Sequence, residues 1–166
     1  MDVETLVAEY GKAIYGLCRK LTQNAFDADD LYQQTFLTAL GKEFRREENP
    51  KAFLTKICLS HYENTRRKYA RRQRIAPVTE AETERISSGE DLEKGSLERE
   101  LKTALRKAVE GLAEKYRIPV LLYYAMDLSL KEIAGCLKIP EGTVKSRLST
   151  ARKLLREELE VNGFDR

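Results

Sequence analysis

A stretch of 22 residues with few large apolar side chains, residues 75–96, divides the sequence into two halves. This stretch contains one proline, two glycines and three serines, a composition that is typical of a linker. On either side of it, apolar residues recur at the spacing of an amphipathic helix. We therefore predict an all-α fold with two small helical domains, residues 1–74 and residues 97–166, joined by a flexible linker.

The charged residues follow the same division. Residues 51–74 contain eight basic residues and one acidic residue, and residues 129–156 contain seven basic and two acidic residues. Residues 75–98 contain seven acidic and two basic residues, so the predicted linker is acidic. Two basic regions indicate two contacts with a polyanion, because Lys and Arg beside phosphates gain affinity by releasing condensed counterions. Solvated helix faces are the alternative explanation for either region alone.

The N-terminal half contains signals for three helices. Acidic residues from Asp27 onward favour the start of a second helix, because the helix dipole stabilises negative charge at its N-terminus. Asn49 followed by Pro50 predicts the start of a third helix, which continues into the basic residues 51–74. The first helix, of about twenty residues, is predicted from one apolar stripe: Leu6, Tyr10, Ile14, Leu17 and Leu21.

The C-terminal half carries the pattern of a helix-turn-helix. Ser129 and Glu132 match a capping box, which predicts a short helix through Leu137. Residues 138–140 separate this helix from the next one, which begins by Glu141. Two helices joined by a tight turn beside a basic surface are typical of a DNA-binding helix-turn-helix.

Two more helices are predicted ahead of this motif. Apolar residues at helical spacing from Leu97 to Ala108 predict the first one. The second is expected over residues 120–125, where Pro119 should begin or kink it. Tyr123 and Tyr124 in this segment are expected to pack in the core or at its rim, with stacking on bases as the alternative.

The last helix has an apolar and a polar face when its residues are placed at intervals of about 100°. The apolar side contains Val144, Leu148, Ala151 and Leu155, and the opposite side contains Gly142, Ser146, Ser149 and Lys153. Lys145 and Arg152 flank the polar side at one edge, and Thr143 and Thr150 flank it at the other. Small polar residues permit close approach to base edges, and long cations reach phosphates, so this face suits the major groove. A merely solvated face is the alternative.

Several strings of residues resemble the extracytoplasmic-function sigma factors of bacterial RNA polymerase. LKEIA at residues 130–134 and PEGTVKSRLSTARKLL at residues 140–155 resemble the C-terminal domain of that family. DADDLYQQTF at residues 27–36 resembles its acidic helix that binds the polymerase clamp. FLTKI at residues 53–57, followed by the basic residues 66–68, resembles its helix that reads upstream bases.

The resemblance implies a sigma factor, which is a subunit that performs no chemistry and directs promoter-specific transcription initiation. In this family the N-terminal domain recognises and melts the minus-ten element, and the helix-turn-helix reads the minus-thirty-five element. The implied partners are core RNA polymerase, through its clamp and flap, promoter DNA, and an anti-sigma factor. No enzymatic activity, cofactor or bound metal is implied.

By motif position, the resemblance also assigns roles to individual residues. The minus-thirty-five contacts would be Thr143, Lys145, Ser146, Arg147, Ser149, Thr150, Arg152 and Lys153. The minus-ten contacts would be Arg45, Arg46, Asn49, Lys56, Asn64, Arg66, Arg67 and Lys68. The polymerase-binding residues would be Asp29, Asp30, Gln33 and Gln34.

Five positions depart from the family's usual pattern. Phe53 stands in place of tryptophan, Ser60 in place of asparagine, and Asn64 in place of aspartate. Contacts near the basic helix are therefore expected to differ in detail. In the turn of the helix-turn-helix, Lys138 stands where glycine is common and Pro140 where a capping serine is common. The angle at which the last helix meets DNA is open for that reason.

Two other classes of function stay open from the sequence. A free-standing operator-binding regulator would use the helix-turn-helix but would leave residues 27–36 and the basic residues 51–74 without a task. A metal protein or enzyme could use Cys58 and His61, which lie three positions apart. However, His61 is the only histidine, and a tetrahedral site would need distant carboxylates. The three widely spaced cysteines are expected to be reduced core residues.

The sequence also favours a cytoplasmic location without membrane contact. No apolar run approaches the ~18 residues of a membrane span, and the N-terminus has acidic residues where a signal peptide would be basic.

Overall fold

The computed structural model describes residues 2–43, 48–75 and 96–164. Within these ranges the protein is all-α, as predicted, and contains no strand. Residues 76–95, which form most of the predicted linker, and the predicted DNA contacts Arg45 and Arg46 lie outside the described residues. The chain divides into an N-terminal unit, which also includes residues 135–138, and a C-terminal unit that contains the rest of the second half.

Residues 2–43 and 48–75 of the N-terminal unit form three helices, each begun by a polar side chain that accepts a hydrogen bond from a backbone N–H. The Asp2 carboxylate caps the first helix, and the Asn49 side chain caps the third. The second helix begins two residues before Asp27, because the Asn24 side-chain oxygen accepts from the Asp27 backbone N–H at 2.8 Å. These helices are α1 (Val3–Thr22), α2 (Ala25–Leu40) and α3 (Pro50–Ile75).

The core of this unit includes the apolar stripe of α1, which was predicted from the spacing of its residues. Ile14 is fully buried there, and Tyr10 at the edge of the stripe is half-buried. Gly11 of α1 is also buried, and a Cβ at this position would lie 2.9 Å from the Tyr32 hydroxyl oxygen. A larger residue at position 11 would therefore require the Tyr32 side chain to shift. The other buried core residues include Leu6, Leu17, Leu21, Leu31, Phe36, Leu54, Ile57 and Leu59.

Two cysteines meet in this core. The Sγ atoms of Cys18 and Cys58 are 3.7 Å apart, and both residues are fully buried. The hydrogen bond to Cys58, together with burial, raises the pKa of the Cys18 thiol. Cys136 is also a buried thiol outside any disulfide, so the prediction of three reduced core cysteines is confirmed.

The described residues of the C-terminal half contain four α-helices and one π-helical turn. Their bounds are α4 (Leu97–Glu110), α5 (Glu114–Val120) continued by a π-helical turn (Leu121–Ala125), α6 (Leu130–Leu137) and α7 (Glu141–Val161). The leucines in the first two turns of α4 are exposed, and its buried residue is Ala108. Periodicity therefore predicted this helix correctly without revealing that much of its apolar stripe is exposed.

We predicted a helix over residues 120–125 that Pro119 begins or kinks, and the predicted start of this helix is wrong. The helix begins at Glu114, and Pro119 lies inside it. Ala113 at its N-cap makes no side-chain cap hydrogen bond, so the sequence contained no start signal there. Proline lacks an N–H and crowds the carbonyl four residues earlier, which interrupts the α-helical hydrogen-bond pattern. The π-helical turn follows directly, with the Met126 N–H bonded to the Leu121 carbonyl at 3.0 Å.

Among the described residues, no helix is long and apolar enough to cross a membrane.

Candidate nucleic-acid and polymerase interfaces

The first helix of the helix-turn-helix, α6, starts with the predicted capping box. The Glu132 backbone N–H donates to the Ser129 hydroxyl at 3.1 Å. The Ser129 backbone N–H donates to the Glu132 carboxylate at 2.9 Å. These two bonds satisfy two backbone donors that the helix itself cannot pair, so the start of α6 is fixed by local chemistry.

The turn between α6 and α7 tolerates both departures from the family pattern. Lys138 adopts a left-handed conformation with φ 58°, and the Ile139 N–H donates to the Ala134 carbonyl at 3.1 Å, which forms a Schellman motif. A lysine in this conformation costs about 1 kcal/mol relative to a residue without a Cβ. Pro140 serves as the N-cap of α7 in an extended conformation, without a side-chain cap bond.

Helix α7 has the two faces that its sequence predicts. Val144, Leu148 and Ala151 are buried, and Leu155 is half-buried. The residues predicted to lie opposite are all exposed: Gly142, Ser146, Ser149 and Lys153. Burial of one side fixes the rotation of the helix about its axis, so the serine-bearing side faces solvent in a defined direction.

The eight residues predicted to contact the minus-thirty-five element therefore lie on one helix, and none of them is buried. Thr143 and Thr150 are half-buried at one edge of the polar face. Arg147 is also half-buried, because its position falls between those threonines and the apolar side. The exposed members of the set are Lys145, Ser146, Ser149, Arg152 and Lys153.

One contact of α7 was not predicted. The Arg152 Nε–H donates to the Tyr124 hydroxyl oxygen at 2.8 Å. The guanidinium carbon lies 5.9 Å from the ring centroids of both Tyr123 and Tyr124. The sequence carried no signal for this contact, because the tyrosines lie on the π-helical turn, far from Arg152 along the chain.

In the N-terminal unit, the predicted minus-ten contacts on α3 lie on the exposed part of the helix. The Asn49 side-chain oxygen accepts from the Lys51 backbone N–H at 3.0 Å, so this predicted DNA contact also has a structural role. Arg45 and Arg46 lie outside the described residues. The remaining members of the set are exposed: Lys56, Asn64, Arg66, Arg67 and Lys68.

The predicted polymerase-binding residues of α2 are close to one another on the surface. Asp29, Asp30 and Gln33 are exposed, and Gln34 is half-buried with its amide donating to the Asp30 carboxylate at 3.2 Å. The Tyr15 hydroxyl donates to the Asp29 carboxylate at 2.6 Å, and this bond raises the pKa of Tyr15.

Sequence reasoning missed the apolar members of this surface. Phe26 and Leu37 of α2 are 83% and 65% exposed, respectively. Together with Asp30 and Gln33 they have spacings of four, three and four residues, so the four side chains lie on one face. This α2 face combines apolar and acidic groups. The signal available in the sequence was the spacing of Phe26 and Leu37, because two residues eleven positions apart lie on the same side of a helix.

The two residues that could have suggested a metal site have other partners. His61 Nε2 lies 2.6 Å from the Thr38 hydroxyl, and Cys58 contacts Cys18 in the core. No group of three or more metal-ligating side chains occurs in the part of the chain that the structure describes.

Comparisons with known proteins agree with this geometry. Residues 6–74 match the family model for sigma-70 region 2, and residues 102–155 match the model for sigma-70 region 4. The RNA polymerase sigma-E factor of Streptomyces antibioticus is 31% identical over an alignment of 173 positions, which covers 99% of this chain and 88% of that protein. The ECF RNA polymerase sigma factor SigW of Bacillus subtilis is 29% identical, with 93% and 87% covered.

A solved structure is also similar. The sigma factor RpoE of Bartonella quintana, in complex with the anti-sigma factor NepR, matches with a TM-score of 0.81 and 27% identity, covering 98% of both chains. The chain thus matches both sigma-70 regions, and it matches its relatives over nearly its whole length. These matches agree with the exposed basic residues of α3 and α7. The chain belongs to the extracytoplasmic-function sigma factor family, whose members direct promoter-specific transcription initiation by RNA polymerase.

Proposed function

We propose that the two units of this sigma factor read two promoter elements. In this proposal, the C-terminal unit reads the minus-thirty-five element as duplex DNA, and the N-terminal unit recognises and melts the minus-ten element. The single observation that carries the proposal is the exposed polar face of α7, opposite the apolar face that packs Val144, Leu148 and Ala151 into the core.

The chemistry of that face suits the major groove. Ser146 and Ser149 are short enough to let the helix backbone approach base edges, and Lys145 can reach a base or a phosphate. No acidic residue occurs from residue 142 to residue 153, so nothing on this part of the helix repels the DNA backbone.

The proposal for the minus-ten element rests on α3. Residues 63–68 are all exposed, and they include Arg66, Arg67 and Lys68 with a single acid, Glu63. Unstacking a base costs a few kcal/mol, so a surface that captures unpaired bases must offset that cost with phosphate contacts and stacking. Arg66, Arg67 and Lys68 supply the phosphate contacts in this proposal.

We assign polymerase binding to the α2 face. The Asp30 carboxylate of this face accepts a hydrogen bond from Gln34, the neighbouring Asp29 accepts one from Tyr15, and exposed Phe26 and Leu37 add apolar area beside them. A polar surface with apolar anchors is typical of a protein contact rather than a DNA contact. Core polymerase, through its clamp, is the partner that we propose for this face, with its flap as the partner of the C-terminal unit.

Inhibition by an anti-sigma factor is also proposed, because the structurally similar RpoE was solved in complex with NepR. We further propose that residues 75–96 link domains spanning residues 1–74 and 97–166. The matches to sigma-70 regions end at residue 74 and resume at residue 102, which supports this division.

The test is transcription by purified core polymerase on a library of promoters, with and without this protein. We expect initiation from a sequence-selected subset, in which both a minus-ten and a minus-thirty-five element are enriched. Enrichment of one element alone, or binding to duplex DNA without any initiation, would contradict the proposal. The second outcome would favour a free-standing regulator.

A further inference from the structure

Two tyrosines and one arginine form a cluster that links the π-helical turn to α7. Tyr123 and Tyr124 pack edge to face with ring centroids 4.9 Å apart. Arg152 lies 5.9 Å from both rings and donates its Nε–H to the Tyr124 hydroxyl at 2.8 Å. All three residues belong to the C-terminal unit, and both Tyr124 and Arg152 are exposed.

The cluster lies at one edge of the polar face of α7. Lys145, Arg152 and Arg156 are all exposed, and their spacings of seven and four residues place them along the same edge. Lys145 and Arg152 are two turns apart, or about 10.5 Å along the axis. A row of cations beside a face that enters the groove is where a DNA backbone would run.

The bond to Tyr124 determines how Arg152 can act. A guanidinium is planar, so fixing its Nε–H restricts the direction of its two terminal amino groups. The phenol is neutral, and no acid pairs with Arg152 among the described residues, so its full charge is retained. The Tyr124 oxygen accepts one hydrogen bond and keeps its own hydrogen to donate. Tyrosine and arginine therefore present adjacent donors to the same region of solvent.

We infer that Tyr124 is a positioning residue for Arg152, and that the pair binds one backbone phosphate of duplex DNA. The inference rests on the proposed reading of duplex DNA by α7, and it adds a residue from outside the helix-turn-helix. Stacking of Tyr124 on a base would not require its hydroxyl. If the tyrosines instead held Arg152 away from DNA, their contact with Arg152 would weaken DNA binding. Both alternatives give different results in the following experiment.

The experiment is a double-mutant cycle on the full chain, with binding to a fluorescein-labelled 30-base-pair duplex of mixed sequence measured between 50 and 200 mM salt. We expect Arg152→Ala to weaken binding about tenfold and to reduce the salt slope by about 0.9, the value for one phosphate contact. We expect Tyr124→Phe, which keeps the ring, to weaken binding about threefold with the slope retained, since the charge remains. In the Arg152→Ala background, Tyr124→Phe should have no further effect.

Tyr116→Phe removes a hydroxyl from α5 of the same unit and is the matched control, expected to bind like the unmodified chain. Equal losses from Tyr124→Phe in both backgrounds would overturn the positioning role, as would tighter binding or no change in the single variant. The duplex has mixed sequence, so this cycle can fail while the promoter library still selects two elements. If the library selects none and the cycle succeeds, the proposed function fails and the phosphate contact stands.

Discussion

The two basic helices of this protein, α3 and α7, expose their cations in different ways. In α7, buried residues alternate with exposed ones along the segment that carries the predicted DNA contacts. In α3, the buried residues Leu54, Ile57 and Leu59 come first, and residues 63–68 are then exposed on every side of the helix. Packing therefore fixes which face of α7 meets a ligand, whereas it selects no face over residues 63–68 of α3.

This difference suits the two forms of DNA in the proposed function. Reading a duplex requires a few side chains to meet fixed base edges, so a helix must be held at one rotation about its axis. Capturing a melted strand relies on phosphate contacts and stacking, which many orientations can satisfy. We therefore expect substitutions in α7 to act through geometry and substitutions in α3 to act through charge.

The largest effect is expected from loss of the packing that fixes α7. Leu148 is 1% exposed, and Leu148→Ala should destabilise the C-terminal unit by about 2 to 5 kcal/mol, because it leaves a cavity. Hydrogen exchange of the α7 amides in the full chain measures this. The control is Leu154→Ala on the same helix, where the leucine is 37% exposed and the expected cost is below about 1 kcal/mol. Equal protection in the two variants would contradict the account.

A charge reversal on the α2 face should impair polymerase binding. Asp30→Lys replaces an exposed carboxylate and removes its bond to Gln34, so we expect at least a tenfold loss of affinity for core polymerase, or about 1.4 kcal/mol. Fluorescence anisotropy of the labelled chain with core polymerase measures the loss. Glu9→Lys makes the same charge change at an exposed position of α1 and should bind normally. If Asp30→Lys assembles as well as Glu9→Lys, the clamp assignment is wrong.

A pair of substitutions tests the contrast between α7 and α3 directly. Lys145→Ala should cost about 1 to 3 kcal/mol on preferred promoters and should change the selected minus-thirty-five sequence. Arg67→Ala should lower initiation on all promoters by a similar factor, because its proposed contact is with the backbone. The promoter library, repeated with each variant, measures both. A changed minus-thirty-five preference in the Arg67 variant would remove the distinction.

The smallest effect is expected in the turn before α7. Lys138→Gly should stabilise the protein by about 0.5 to 1 kcal/mol, because φ 58° is strained for lysine and not for glycine. Arg156→Gly, at an exposed helical position, should instead destabilise it by about 1 kcal/mol. Thermal unfolding of the full chain monitors both, and a loss of stability in the Lys138 variant would show that its side chain contributes more than its backbone costs.

Local signals account for what could be predicted from the sequence. The capping box at Ser129, the Asn49–Pro50 start and the spacing of Val144, Leu148 and Ala151 each act within a few residues, and the structure contains all three features. The π-helical turn over residues 121–125 follows Pro119, and no local pattern in the sequence encoded it. The pairing of Tyr124 with Arg152 requires the packing of two separate elements, so no sequence spacing could have predicted it.

Site-specific photocrosslinking in the assembled polymerase on one selected promoter tests the central claim most directly. A crosslinking residue at Ser149 of α7 and another at Arg67 of α3 would each be mapped to the nucleotide that it contacts. The account predicts that the Ser149 probe reacts with the minus-thirty-five duplex and that the Arg67 probe reacts with the minus-ten region. Reaction of both probes with the same element would contradict the claim that the two units read separate parts of the promoter.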